Sequence, residues 1–145
     1  MSSVTIRTEL TADMALFKEG ARTAVALFYD SERPLRGFAG QLDWRFKGEL
    51  SRFVKFNAIS TEPGQITLIP TYLNQNRFQL FLYSKSNAAK TAERSPITVE
   101  EVKELNAKLL TLKITPIVLS LSDLGLSSAE ILLKYFKGVD AWITQ

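Results

Sequence analysis

The sequence predicts an α/β sandwich built on a mixed β-sheet, and three segments carry that prediction. Residues Thr23–Tyr29 form an apolar run without alternation, which is typical of a strand covered on both faces. Gln41–Phe56 repeats its apolar side chains at steps of three, four and seven, as an amphipathic helix does. A second such helix follows Thr98 and leads into another buried strand, Ile117–Leu121. Strands and helices that alternate along the chain indicate this fold class.

The first forty residues supply an edge strand, a short helix and a loop around the first buried strand. Val4–Leu10 alternates, which predicts an edge strand with three residues facing the core, namely Val4, Ile6 and Leu10. Thr11–Gly20 predicts a short helical turn that ends at glycine. After the buried strand, Asp30–Gly40 is a basic, glycine-bearing loop that leads into the amphipathic helix.

A hairpin is predicted in the middle of the chain. Glu62–Gln65 contains adjacent proline and glycine and therefore marks a turn. Ile66–Pro70 predicts a short strand that is stopped by proline, and Phe78–Tyr83 predicts a second buried strand. The polar turn Asn74–Asn76 lies between them, and this short spacing favours antiparallel pairing.

The last third of the chain alternates between helices and strands. Ser84–Ser95 predicts a polar linker, and Thr98–Glu101 has the pattern of a capping box at the start of a helix. That helix is expected to bury Val102, Leu105, Leu109 and Leu112. Ser127–Glu130 predicts a second capping box, before a helix that is closed by Gly138. Val139–Thr144 is typical of a short terminal strand.

The composition excludes several kinds of chemistry. With 145 residues, the chain has the length of a single domain. It contains no cysteine and no histidine, so it lacks thiolate chemistry as well as the commonest general base and metal ligand. We therefore expect no catalytic residue, no metal and no cofactor. No apolar run approaches the roughly 20 residues that cross a bilayer, and no secretory signal is visible, which predicts a cytoplasmic protein without membrane contact.

Six segments together form a familiar pattern, namely Ala24–Phe28, Arg33–Leu35, Gln41–Asp43, Gly48–Ser51, Pro63–Pro70 and Arg77–Leu82. Spread over about residues 22–121, they resemble the N-terminal domain of the leucine aminopeptidase (cytosol aminopeptidase) family. The resemblance implies a three-layer α/β/α sandwich with a mixed sheet, similar to a macro domain. It also implies that residues 1–145 form one domain of this type.

The same resemblance implies a function without catalysis. In that family, the peptidase chemistry belongs to a separate C-terminal domain with bound metal ions, and no residue of this chain can be matched to that domain. We therefore expect that the chain is not an enzyme. The expected role is a non-catalytic binding or regulatory module that acts through contacts with a protein partner or through self-association.

One turn departs from the family pattern. Where family members carry a Gly-x-Gly-Lys turn, this chain has Tyr83–Ser86. Glycine at such a turn permits positive φ and a close approach of the backbone to a phosphate. The loss of both glycines predicts that this turn holds no phosphate, and it weakens the analogy with macro domains that bind ADP-ribose.

A macro-type ligand site is the first alternative function. Asp30, Arg33, Arg36 and Gly37 follow the carboxyl end of the first buried strand, where ligands usually bind in α/β sheets. The two arginines and the start of the next helix suit a small anion such as a nucleotide or an ADP-ribose-like molecule. The competing interpretation is a plain connecting loop in which the glycines serve turn geometry.

A basic nucleic-acid accessory domain is the second alternative. Between residues 33 and 55, six basic residues stand against two acidic ones. Arg45, Arg52 and Lys55 fall on roughly one face of the predicted helix and could contact phosphates. The competing interpretation is a solvated helix face on which Glu49 pairs with Arg45.

Two tryptophans are candidates for a partner or dimer surface. Trp44 lies opposite the apolar face of its predicted helix, and Trp142 lies in the terminal strand. An exposed tryptophan leaves a large apolar surface in water, and tryptophan is enriched at protein interfaces.

Overall fold

The computed structural model of the protein describes residues 4–30, 32, 34–85, 94–112 and 116–145. Within these ranges the strands are β1 (Val4–Ile6), β2 (Thr23–Tyr29), β3 (Ile66–Leu73), β4 (Asn76–Lys85), β5 (Ile117–Ser120) and β6 (Ala141–Thr144). The helices are α1 (Ala12–Phe17), α2 (Gly37–Arg45), α3 (Glu49–Lys55), α4 (Val99–Leu110), α5 (Leu121–Leu124) and α6 (Glu130–Tyr135).

The sheet is mixed, as the sequence predicts, and its strand order is β1-β6-β5-β2-β4-β3. β2 runs parallel to both of its neighbours, β4 and β5, and β6 runs parallel to β5 and β1. β3 pairs antiparallel with β4, which confirms the predicted hairpin. The carboxyl ends of all strands except β3 therefore meet at one edge of the sheet.

Helices cover both faces of this sheet, which confirms the three-layer α/β/α sandwich. On one face, Ala24 and Phe28 of β2 pack with buried residues of α1, α2 and α3. On the other face, Val25 and Leu27 of the same strand pack with buried residues of α4, α5 and α6. Every residue of β2 is buried, which explains why its sequence is a continuous apolar run.

The prediction of one helix over Gln41–Phe56 is wrong, because the chain forms two helices there. Lys47 and Gly48 have φ values of +57° and +82°, in the left-handed region that interrupts a helix. The Asp43 carboxylate accepts a hydrogen bond from the Ser51 amide at 2.9 Å, and so caps the second helix from the end of the first. The apolar spacing hides the break because α2 and α3 pack into the same core cluster.

Proline does not stop β3, contrary to the prediction. The strand continues to Leu73, with Pro70 opposite Gln79 of β4. β3 is the last strand of the sheet, so one side of its backbone has no partner strand to lose a hydrogen bond. An edge position therefore accommodates a proline that would disrupt a central strand.

The two terminal strands differ from the expectation. β1 pairs with β6 over only Val4–Ile6, and the side chain of Ile6 is 42% exposed rather than part of the core. Leu10 is buried, as expected. β6 lies between β1 and β5, so the predicted terminal strand is an inner strand of the sheet.

One predicted capping box is confirmed and the other is wrong. The Thr98 hydroxyl accepts the Glu101 amide at 3.2 Å, and the Glu101 carboxylate accepts the Thr98 amide at 3.0 Å. The box predicted over Ser127–Glu130 does not form, because α6 begins after Ala129 without a side-chain cap. β5 ends at Ser120, where the short helix α5 begins without having been predicted.

The predicted polar linker overlaps the end of β4. Ser84 and Lys85, assigned to a linker, extend β4, and residues 86–93 of that linker lie outside the described residues. In the described parts of the chain, no helix is both long enough and apolar enough to cross a membrane.

Candidate functional site

The candidate site is a cleft between β2 and β5 at the carboxyl edge of the sheet. After β2 the chain leaves toward β3 and β4, and after β5 it leaves in the opposite direction toward β6. Diverging connections leave a crevice above the two strands, which is where ligands bind in open α/β sheets. The cleft has a volume of about 410 Å³. Its lining residues are Glu32, Arg36, Gly37, Phe38, Gln41, Arg94, Ser120, Ser122 and Asp123.

A buried ion-pair network forms one wall of the cleft. The Arg94 guanidinium donates to both carboxylate oxygens of Glu32, at 2.9 and 2.7 Å, and to Asp123 Oδ1 at 2.6 Å. Both carboxylates are buried, and the guanidinium also donates to the Arg36 carbonyl at 3.0 Å. Burial alone would lower the pKa of Arg94, but the Glu32 hydrogen bonds and the Asp123 charge outweigh it and raise the pKa. Arg94 therefore stays charged and joins the loops that follow β2 and β5.

Asp123 connects the strand β2 to the helix α2. One of its oxygens accepts the Leu27 amide at 2.9 Å, and the other accepts the Phe38 amide at 3.0 Å. Burial raises the pKa of Asp123, while the two amides and the Arg94 charge limit that rise. A single carboxylate thus satisfies a β2 amide, an amide in the first turn of α2, and Arg94.

Gly37 is the point at which the helix and the network approach most closely. Its φ is +61°, which L-residues with side chains rarely adopt. A Cβ at this position would lie 2.5 Å from both Arg94 Nη1 and Asp123 Oδ1. Only glycine lets α2 begin at this distance from the ion pair.

Two serines line the β5 side of the cleft. The Ser120 hydroxyl donates to the Gln145 carbonyl at 2.8 Å and accepts the Asp123 amide, so it caps α5. Ser122 is exposed, and its hydroxyl lies 3.1 Å from that of Ser120. The Ser122 hydroxyl can therefore donate to, or accept from, a molecule in the cleft.

Lys85 lies near the cleft residue Arg94, against the same tyrosine ring. Its side chain is only 5% exposed, and its ammonium lies 3.3 Å from a Glu101 oxygen and 3.4 Å from the Ser95 carbonyl. The same ammonium lies 5.7 Å from the centre of the Tyr29 ring, and the Arg94 guanidinium lies 4.7 Å from that centre. Lys85 and Arg94 therefore contact the same aromatic ring, that of Tyr29.

The Tyr83 hydroxyl lies near two glutamates of α4, Glu104 and Glu101. Burial raises the pKa of Tyr83 to about 12, and the charges of Glu104 and Glu101 add to the effect. In the described parts of the chain, no cluster of three or more acidic side chains is close enough to hold a metal ion.

The predicted ligand residues are only partly brought together. Arg36 and Gly37 line the cleft. Asp30 is exposed in the turn after β2 and is not among the residues that line the cleft, and Arg33 lies outside the described residues. Sequence reasoning missed Glu32, Arg94, Ser122, Asp123 and Lys85. The signal that could have found Ser122 and Asp123 was their place after a buried strand.

The basic residues proposed for nucleic acid do not share one helix. Arg45 ends α2 and is paired with Asp13, whereas Arg52 and Lys55 lie on α3. Arg52 is paired with Glu49, which replaces the expected pair between Glu49 and Arg45. The helix break removes the single face on which the hypothesis was built, and nucleic-acid binding stays a prediction.

The two tryptophans differ in their environment. Trp44 is 75% exposed at the end of α2. Trp142 is half-buried, packs against the core and lies under the Arg7 guanidinium, 4.6 Å from its ring centre. The proposed interface at these residues stays a prediction, and Trp44 has far more open surface to offer.

Comparison with solved structures identifies the type of fold. No protein-family model matches the sequence, and no curated protein matches it. Among solved structures, the macrodomain of Mycobacterium tuberculosis DarG is 14% identical with a TM-score of 0.64, and the match covers 99% of this chain and 98% of that one. The macrodomain of Thermus aquaticus DarG is 17% identical with a TM-score of 0.62, and the match covers 100% and 99%. The fold is macrodomain-like.

A third solved structure with this macrodomain-like fold is a protein of unknown function from Bacteroides thetaiotaomicron. It is 13% identical with a TM-score of 0.63, and the match covers 99% of this chain and 98% of that one. At these identities the likeness concerns the fold alone, and the function must be argued from the site.

The comparisons correct two expectations drawn from the aminopeptidase resemblance. The macro-like part of that resemblance is confirmed, but the structures reported above give no support for an aminopeptidase domain. The expectation that the chain is not an enzyme is wrong, because it rested on likeness to a non-catalytic accessory domain, and the fold is instead shared with DarG macrodomains. The role as a protein-binding module loses its support for the same reason.

Proposed function

We propose that this protein binds an ADP-ribose-like molecule in the cleft between β2 and β5. The observation that carries the proposal is the position of the cleft, at the point where the connections of a macrodomain-like sheet diverge. This alternative from the sequence replaces the protein-binding module as the main interpretation.

The chemistry of the cleft suits a phosphorylated sugar. Glu32 and Asp123 pair with Arg94. Arg36 is exposed and lines the cleft, so its guanidinium is placed to contact a phosphate. Arg36 precedes α2, a nine-residue helix whose amino end also favours a phosphate. Ser122 supplies a hydroxyl on the opposite side for a ribose or a phosphate oxygen. The lost glycines at Tyr83–Ser86 do not oppose the proposal, because the residues that line the cleft follow β2 and β5, with the exception of Arg94.

Titration calorimetry and thermal unfolding with ADP-ribose test the proposal. We expect saturable binding, with about 2.7 kcal/mol of stabilisation at a ligand concentration of 100 times the dissociation constant. Arg36→Ala should weaken binding by roughly tenfold or more, because a charge-assisted hydrogen bond to phosphate is lost.

Arg77→Ala is the matched control. Arg77 is exposed and is the second residue of β4, so it lies at the opposite edge of the sheet from the cleft. Its removal changes the net charge equally but should leave the affinity unchanged. Absence of any binding to the unaltered protein, or an equal loss in both variants, would refute the cleft as the site.

A second candidate function is hydrolysis of the bond that joins the terminal ribose of such a ligand to another molecule. Lys85 favours it, because a buried primary amine adjoins the cleft and shares the Tyr29 ring with Arg94. In such a step the Lys85 amine gives a proton to Glu101 and attacks the anomeric carbon of the ribose as the bond to the other molecule breaks. The leaving group takes up a proton, and water then releases the ribose from the amine. The Tyr29 hydroxyl is buried nearby and finds no hydrogen-bond partner among the residues that the structure describes.

Release of ADP-ribose from ADP-ribosylated protein and nucleic acid tests this candidate. We expect Lys85→Arg to lower the rate by about 100-fold or more, while ADP-ribose itself still binds. Lys103→Arg on the exposed face of α4 is the control and should leave the rate unchanged. If the unaltered protein releases nothing, the hydrolytic candidate fails and the binding proposal is unaffected.

A further inference from the structure

An apolar groove runs along β3, at the edge of the sheet opposite β1. Ile66 and Leu68 of β3 and Phe81 of β4 line one side of it, and Lys108 and Leu112 at the carboxyl end of α4 line the other. The groove has a volume of about 470 Å³. It shares no lining residue with the cleft between β2 and β5, so the two are separate features.

The backbone of β3 offers hydrogen-bonding groups along the same edge. The Gln79 amide donates to the Arg22 carbonyl on the β2 side at 2.8 Å, so Gln79 and its partner Pro70 form no hydrogen bonds with each other. Bonded and non-bonded pairs alternate in an antiparallel ladder, so the amides and carbonyls of Ile66 and Leu68 also point outward. In the part of the chain that the structure describes, no strand pairs with this outer side. Another extended chain can therefore pair there.

Proline limits the open edge to the first half of β3. Pro70 has no amide, so an added strand would lose a donor beyond Leu68. The segment Ile66–Leu68 carries neither a charge nor a proline, which are common protections of an edge strand. A short paired segment gains little stability from backbone bonds alone. A partner at this edge therefore also needs side-chain contacts, and the adjoining groove can supply them.

The groove favours an apolar side chain together with a carboxylate. Leu68 is 45% exposed, which leaves much of its apolar surface open to a partner. Among the described residues, no carboxylate lies within ion-pair distance of the Lys108 ammonium. Glu104, one turn earlier on α4, lies beside the Tyr83 hydroxyl instead, at 3.5 Å. A partner with a carboxylate therefore meets an available cation in the groove.

We propose that the groove between β3 and α4 binds an extended peptide of another protein, which adds a strand to β3 at Ile66–Leu68. One apolar side chain of the peptide enters the groove against Leu68, and a carboxylate of the peptide pairs with Lys108. Peptides that extend a sheet gain affinity from backbone bonds and specificity from alternate side chains. A second copy of this chain fits less well, because two-fold pairing of β3 would bring two Lys108 ammonium groups to one interface. The peptide site does not depend on the proposed function.

Selection from a library of random nine-residue peptides displayed on phage tests the proposal, and fluorescence anisotropy then measures the affinity of the enriched peptide. We expect the enriched sequences to alternate apolar and polar residues and to carry a carboxylate. Leu68→Glu should weaken binding by roughly tenfold or more, because it places a charge where the apolar side chain docks. Leu133→Glu is the matched control, since Leu133 is 51% exposed on α6 and does not line the groove. It should leave the affinity unchanged.

A second pair of variants tests the charge. Lys108→Gln should weaken binding of the enriched peptide by about two- to fivefold, as expected for a partly exposed ion pair. Lys103→Gln removes an equal charge from the exposed face of α4, outside the groove, and should leave the affinity unchanged. Equal affinities in these two variants would overturn the contact between Lys108 and a carboxylate.

Hydrogen exchange measured by NMR separates strand addition from apolar contact alone. The bound peptide should slow exchange of the outward Leu68 amide, whereas the Thr67 amide, which faces β4, should exchange slowly with or without the peptide. The proposal is overturned by a library that yields no binder, by an unchanged affinity in Leu68→Glu, or by a Leu68 amide that stays unprotected. Dimers of the peptide-free protein that Leu68→Glu dissociates would overturn it in favour of a second copy.

Discussion

Replacement of Gly37 by alanine is expected to lower the free energy of unfolding by about 3 kcal/mol and to remove ADP-ribose binding. The backbone conformation at φ +61° costs an L-residue roughly 1–2 kcal/mol. The new Cβ would lie 2.5 Å from Arg94 Nη1 and Asp123 Oδ1, and overpacking of this kind costs about 1–3 kcal/mol more. These two atoms cannot retreat freely, because they form a buried ion pair with each other.

Gly48→Ala is the control that separates the two contributions. Gly48 also has a positive φ, +82°, but a Cβ there would meet no atom within 4 Å. Urea denaturation should therefore show only the conformational cost of roughly 1–2 kcal/mol, with ligand binding retained. Equal losses in the two variants would mean that the close approach at Gly37 contributes nothing.

Asp123→Ala is expected to lower the free energy of unfolding by about 3–5 kcal/mol. The substitution leaves the Leu27 and Phe38 amides without their acceptor and removes one of the two carboxylates that hold Arg94. Buried donors without partners bear a full desolvation cost, and a buried charge that loses a partner costs more. Asp123→Asn keeps the shape and one acceptor oxygen, so its loss should be intermediate.

Glu49→Ala is the reference for an ordinary ion pair. Glu49 pairs with Arg52 on the surface of α3, and exposed pairs of this kind contribute about 0.2–1 kcal/mol. Denaturation of all three variants should order them as Glu49→Ala, Asp123→Asn and Asp123→Ala, from least to most destabilised. An Asp123→Ala loss as small as that of Glu49→Ala would show that the network does not hold the site together.

Much of the fold follows from local patterns in the sequence. The apolar run of β2 and the apolar spacing in Gln41–Phe56 predict which side chains are buried. All of β2 and most apolar residues of Gln41–Phe56 pack in or against the core, as expected. The same patterns could not show the break at Lys47 and Gly48, because two helices packed on one face preserve the apolar spacing. The continuation of β3 through Pro70 depends on its place at the sheet edge, which local sequence does not contain.

The sequence predicts only the part of the site that follows β2. Arg36 and Gly37 could be chosen because they follow a buried strand, and both line the cleft. The sequence around Lys85 differs from the family pattern only by the glycines that its turn lacks, and this difference does not predict the burial of Lys85 against Tyr29 and Glu101. Trp44 is predicted to lie outside the core, and its side chain is exposed at the end of α2.

The sequence by itself determined the alternation of strands and helices, the two-sided burial of β2 and the absence of histidine and cysteine chemistry. The tertiary structure alone decided which polar residues form a site. Glu32 and Arg94 are 62 residues apart, and Leu27 and Asp123 are 96 apart, yet each pair is joined by a hydrogen bond that is at least partly buried. The physical reason is that periodicity reports burial of a face, whereas charged partners meet only where parallel strands bring their carboxyl ends to one edge.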